Sequence, residues 1–128
     1  MIRKILIIDD SPVARKILRS CIPGDRSFEI SEAADGKEGL QRFQETVPDL
    51  TFTDLTMPVM DGLQALQLMK EDRKDAVIVV CSADIQPKTI ARVMELGAYA
   101  MLKKPPSKDI VSDLISKVEA LPGNPVIP

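Results

Sequence analysis

Ile5-Leu6-Ile7-Ile8 is an unbroken apolar run, and Val77-Ile78-Val79-Val80-Cys81 is a second. Continuous apolar runs of strand length suit strands covered on both faces, as in parallel sheets. Phe28-Glu29-Ile30-Ser31-Glu32-Ala33 alternates instead, which fits an edge strand. Leu50 to Asp54 and Ala100 to Lys103 supply two further strand candidates.

Helical patterns fill the intervals. Ser11-Pro12 reads as an N-cap followed by proline at the first helical position. The helix it opens has Val13, Ile17 and Leu18 on its apolar stripe. Asp35-Gly36-Lys37-Glu38 and Asp61-Gly62-Leu63-Gln64 both resemble capping boxes. The first predicts a helix burying Leu40 and Phe43, the second one burying Leu63, Leu66 and Met69. Pro87 starts a fourth helix, with Ile90, Val93 and Met94 inward, and Gly97 stops it. Ser107 caps a fifth, with Ile110, Leu114 and Val118 inward. Five strand–helix pairs predict an α/β domain: a parallel sheet, right-handed crossovers and helices on both faces. The domain is expected over residues 1–121, with 122–128 a Pro-rich tail that frays.

The ends of these strands carry the candidate chemistry. In an open parallel sheet, sites form beyond the carboxyl ends of the strands. The first strand ends in Asp9-Asp10, the third in Asp54, the fourth in Ser82 and the fifth in Lys103-Lys104. Three clustered carboxylates repel one another unless positive charge offsets them. A divalent cation and a lysine would do so, and magnesium favours carboxylates, waters and a phosphate oxygen. One carboxylate could then attack phosphorus and become an aspartyl phosphate. Cation, lysine and hydroxyl would steady the charge on the phosphoryl oxygens. Singly, each residue has a plainer role. Asp10 could cap a helix, Ser82 is an ordinary loop hydroxyl and Lys104 an exposed lysine. A cis bond at Pro105 would aim Lys104 inward.

Composition narrows the field. The chain has 128 residues, 45% apolar and 28% charged, as in one globular domain. Net charge is −2, and no run of Lys or Arg exceeds two residues. That argues against nucleic-acid and membrane surfaces. The apolar run near the N-terminus is too short for a signal peptide, so a cytoplasmic location is expected. There is no histidine, which removes histidine-based triads and histidine-held zinc or haem. Any metal must be held by oxygen, which means magnesium, manganese or calcium. Cys21 and Cys81 sit in apolar stretches and are expected as buried, reduced thiols.

Four motifs then stand in order: Ile7-Ile8-Asp9-Asp10-Ser11, Asp54-Leu55-Thr56-Met57-Pro58-Val59-Met60-Asp61-Gly62, Cys81-Ser82-Ala83, and Gly97-Ala98 with Lys104-Pro105. Together they resemble a response-regulator receiver domain, most nearly the stand-alone regulators of chemotaxis, from residue 2 to near residue 120. The resemblance implies a flavodoxin-like (βα)5 three-layer sandwich with strand order 2-1-3-4-5. It implies that Asp54 accepts a phosphoryl group from a histidine kinase. Asp10 and Asp54 would bind Mg2+ (or Mn2+) directly, Asp9 through water, with the Thr56 carbonyl completing the protein ligands. Lys104 would pair with the phosphoryl group and Ser82 would move to it. That movement would alter the face made by the fourth helix, fifth strand and fifth helix, where a downstream protein would bind. A phosphatase is a further possible partner. Thr56 and Asp84 would flank the hydrolytic water and tune phosphoryl lifetime.

Of the two lysines, Lys104 directly precedes proline as the family's lysine does, leaving Lys103 as a surface charge. One position departs from the family. Where similar receivers often place Tyr or Phe, this chain has Met101, while Tyr99 does not align. Met101 therefore reads as a packing residue. Rival readings are a receiver fragment of a longer regulator, a scaffold that signals without phosphate, or a magnesium-dependent phosphohydrolase. The last normally carries D-x-D at its nucleophile, and here the stretch is Asp54-Leu55-Thr56.

Overall fold

The structure is a computed structural model and describes residues 2–121; the Pro-rich segment 122–128 lies outside the described residues. Five strands and five α-helices alternate: β1 Lys4–Ile8, α1 Pro12–Cys21, β2 Glu29–Ala33, α2 Gly36–Thr46, β3 Leu50–Thr53, α3 Gly62–Asp72, β4 Ile78–Ser82, α4 Pro87–Glu95, β5 Ala100–Lys103 and α5 Lys108–Glu119. A short 3-10 turn, Gly24–Arg26, precedes β2. The strands form one parallel sheet in the order β2-β1-β3-β4-β5. This is the flavodoxin-like three-layer architecture.

Side chains alternate across a strand, so each central strand feeds two cores. Ile5 and Ile7 of β1, Phe52 of β3 and Val79 of β4 pack with α1 and α5. Leu6, Ile8, Ile78 and Val80 pack on the other face with Phe43 of α2, Leu66 and Met69 of α3, and Val93 of α4. Both faces are dry, hence the unbroken apolar runs of β1 and β4. On α2 and α3 the expected residues face the core, Phe43, Leu66 and Met69 fully and Leu40 and Leu63 partly.

Four helix starts follow their predicted caps. Ser11, Asp35, Asp61 and Ser107 accept from the N–H of Ala14, Glu38, Gln64 and Ile110. The facing of three helices differs from expectation. Val13 and Ile17 on α1 are 68% and 40% exposed; Leu18 and Cys21 are the buried pair. The first turn of α1 stands beside the β5–α5 loop, and Val13 and Ile17 line an open cavity with Pro105 and Pro106. On α5 the inward set is Val111, Leu114, Ile115 and Val118, leaving Ile110 53% exposed. Spacings of three and four residues keep one stripe, whereas repeated steps of four drift around the helix. On α4 only Val93 is buried, and Ile90 and Met94 are exposed.

Candidate functional site

Two neighbouring strands set the acidic pair. The Asp9 N–H donates to the Ala33 carbonyl at 3.0 Å, and the Asp54 N–H donates to the Ile8 carbonyl at 2.9 Å. These continue the ladder past the ends of β1 and β3, so Asp9 and Asp54 emerge side by side. Asp9 Oδ1 accepts from the Ser11 N–H at 2.9 Å, and Asp54 Oδ1 from the Leu55 N–H at 2.8 Å. Carboxylate oxygens of Asp9, Asp10 and Asp54 all lie within 4.8 Å of one another. Asp9 is buried, Asp54 half-buried and Asp10 exposed.

Lys104 reaches this cluster from β5. Its N–H donates to the Ser82 carbonyl at 3.0 Å, and the Lys104–Pro105 peptide is cis. Its Nζ lies 2.6 Å from Asp9 Oδ2 and 3.4 Å from Asp54 Oδ2. Lys103 is exposed. Three carboxylates therefore face one ammonium. Burial pushes the Asp54 carboxyl above its ordinary value, and the Asp9 charge adds to this; the Leu55 N–H and Lys104 oppose without cancelling it. Burial alone would lower Lys104, but its hydrogen bond to Asp9 and the charges of Asp54 and Asp9 prevail, holding it above the usual lysine value.

The remaining predicted residues surround the cluster unevenly. Ser82 is buried, and its hydroxyl accepts from the Asp84 N–H at 3.0 Å. The Asp84 carboxylate turns to α4: Oδ1 accepts from the Gln86 N–H and Oδ2 from the Thr89 hydroxyl. Thr56 is exposed on the β3–α3 loop. Met101 packs on the α2–α4 side of the sheet, whereas Tyr99 packs on the α1–α5 side. The cysteines are free and buried. Burial pushes the Cys81 thiol up to about 12, which keeps it protonated and unreactive.

Two supporting residues escaped the sequence reading. Arg15 donates to the Asp9 carbonyl at 2.6 Å and pairs with Glu32, tying the β1–α1 loop to β2. Arg19, one turn on, pairs with the same Glu32. The i, i+4 spacing of the two arginines was the available signal, but only the fold brings Glu32 to them. Gly62 has a different reason. A Cβ there would collide with the Asp54 carbonyl oxygen, so glycine lets α3 start directly under the site.

The family model of the response regulator receiver domain matches residues 5–116. The chain is 34% identical over 119 residues to the chemotaxis protein CheY of Halobacterium salinarum, covering 92% of this chain and 98% of that protein. It is 33% identical over 126 residues to protein-glutamate methylesterase/protein-glutamine glutaminase 2 of Carboxydothermus hydrogenoformans, covering 92% of this chain but 36% of that protein. A chain in the CheX–CheY–BeF3–Mg complex of Borrelia burgdorferi superposes with a TM-score of 0.86 at 28% identity, covering 93% of this chain and 90% of that one. Motifs, strand order and the acidic strand ends converge: the chain belongs to the response regulator receiver domains, the signalling domains of two-component systems.

Proposed function

We propose that this domain takes a phosphoryl group from a histidine kinase onto Asp54, with Mg2+, and thereby switches a protein-binding face. The observation that carries the proposal is the meeting of three carboxylates within 4.8 Å with one lysine reaching two of them. The donor set is oxygen only, which fits Mg2+ and also Mn2+. Asp10 and Asp54 would hold the ion, Asp9 would hold it through water, and the Thr56 carbonyl would complete the set. Bound there, it would supply positive charge to the phosphoryl oxygens as charge builds on them.

The chain's own residues do the rest. An oxygen of Asp54 bonds to phosphorus, the P–N bond to the donor histidine breaks, and its electron pair leaves with the imidazole. The Leu55 N–H holds the other Asp54 oxygen and so fixes the carboxylate's orientation. Lys104 gives up part of its pairing with Asp9 to stabilise the new dianion. The Ser82 hydroxyl donates a hydrogen bond to a phosphoryl oxygen. Later attack by water returns Asp54 and inorganic phosphate, at a rate tuned from the positions of Thr56 and Asp84.

The output is a change in the face of α4, β5 and α5, read by a downstream protein and ended by hydrolysis or by a phosphatase. The chemotaxis relative favours a chemotaxis pathway. Among the described residues no helix is long and apolar enough to cross a membrane. Turnover of a small-molecule substrate is not assigned. A second reading makes the chain the receiver portion of a longer regulator, which the match to about a third of a methylesterase favours.

The test is intact mass after incubation with magnesium and acetyl phosphate, beside Asp54→Asn. One phosphoryl group on the wild type alone is the expected result. Full labelling of the variant overturns the choice of Asp54.

A further inference from the structure

One helix is held differently from the rest. The caps of α1, α2, α3 and α5 come from their own N-cap side chains. The N-cap of α4 is Gln86, whose side chain makes no capping bond. Proline follows, so the first helical residue brings no N–H. The start of α4 is instead tied by Asp84, which takes the Gln86 N–H at 3.1 Å and the Thr89 hydroxyl at 2.9 Å. The N–H of the same Asp84 is held by the Ser82 hydroxyl. One residue thus joins the fourth strand's switch hydroxyl to the first turn of α4. The helix has little else to fix it, since only Val93 is buried and Ile85, Ile90 and Met94 stand exposed around it.

From this chain of bonds we infer that the Asp84–Thr89 pair is a latch that holds α4 in its resting position and sets the threshold for switching. The inference rests on the proposed function, because it takes Ser82 as the group that moves to the phosphoryl oxygens. Movement of the Ser82 hydroxyl toward Asp54 withdraws the acceptor from the Asp84 N–H. Asp84 is then free to shift, and the Thr89 bond strains or opens. The latch therefore stabilises the resting state over the active one. By linkage, weakening it must tighten binding of any ligand that favours the active state. Thr89 is a positioning residue in this scheme; it touches neither the metal ligands nor the phosphoryl site.

The test compares Thr89→Val, which removes the hydroxyl, with Thr89→Ser, which keeps it. Two readouts are taken: binding of beryllofluoride, a phosphoryl mimic, with magnesium, and amide exchange across residues 88–96 without it. One net hydrogen bond corresponds to a change in equilibrium of about fivefold. Thr89→Val should bind beryllofluoride about fivefold more tightly and exchange faster in α4, while Thr89→Ser stays near wild type in both. Faster exchange with unchanged beryllofluoride affinity would reduce Thr89 to a local helix cap and overturn the latch. Weaker binding would overturn it too, since the bond would then belong to the active state. Failure of the wild type to bind beryllofluoride strikes the proposed function instead, and the two failures are told apart by that control.

Discussion

The two ends of the sheet treat acidic groups in opposite ways. At the amino end, Asp49 Oδ2 accepts from the N–H groups of Arg3 and Lys4 at 2.8 and 3.0 Å. Glu119 Oε2 accepts from the Ile2 N–H at 3.0 Å and from Arg26 at 2.6 Å. Each acid there is matched by donors from a distant part of the chain and closes a piece of structure. At the carboxyl end, Asp9, Asp10 and Asp54 gather together, and one lysine reaches Asp9 and Asp54. Negative charge matched by donors holds a fold together. Negative charge left in surplus is unfavourable until a cation arrives, and it marks a place for chemistry.

Removing the lysine should break this contrast most. Lys104→Ala leaves the buried Asp9 carboxylate without its cation. A fully buried pair would cost more to break, but Lys104 is partly open to water, so about 2 kcal/mol is expected. Magnesium should recover more stability in this variant than in the wild type. Lys103→Ala should move stability by less than about 0.5 kcal/mol. Equal effects in urea unfolding would mean the wrong lysine was chosen.

The next effect reads the amino end. Burial would raise the Glu119 carboxyl, but its hydrogen bonds from Arg26 and the Ile2 N–H outweigh this and hold it below 4.5. Its stabilisation is therefore full above the unfolded value and lost as pH falls through the lower folded one. Glu119→Gln should cost about 1 kcal/mol at neutral pH and flatten the acid limb of the stability curve.

Asp54 has the opposite sign. Its folded pKa is raised above 3.8, so its ionised form opposes folding at neutral pH and protonation relieves it as pH falls. Without magnesium, Asp54→Asn should melt higher than the wild type at pH 7, and magnesium should raise its Tm less. A lower Tm at neutral pH would remove the surplus-charge account. The smallest effect is expected at Met101→Tyr. It sits half-buried away from both ends and should fold within about 0.5 kcal/mol of wild type, with any change appearing in partner affinity. Unchanged affinity with and without phosphate would leave position 101 as packing alone.

Much of the domain was legible in the chain because its signals are local. The apolar runs of β1 and β4, the caps at Ser11, Asp35, Asp61 and Ser107, and the polar residues at the strand ends all report on neighbours a few positions away. The strand order did not come from such signals; it came from the resemblance. Periodicity placed five helices but misjudged the facing of α1, α4 and α5, because the width of a buried stripe depends on what covers it. Val59 shows the same limit. It has φ 69°, unfavourable for a β-branched residue, in the loop after Asp54. Bonds from Gly36 to the Met60 carbonyl and from Gly62 to the Leu55 carbonyl flank it. Nothing in the residue type announces that conformation.

By itself, then, the sequence determined the alternation of strands and helices, the starting points of the helices and the polar residues that end the strands. Tertiary structure alone decided that Lys104 meets Asp9 across 95 positions of chain and that Arg15 and Arg19 share Glu32. Caps and strand patterns are set by bonds and burial within a few residues. Those pairings require separate strands and helices to be packed first, and only then does the distance between two charges acquire a value.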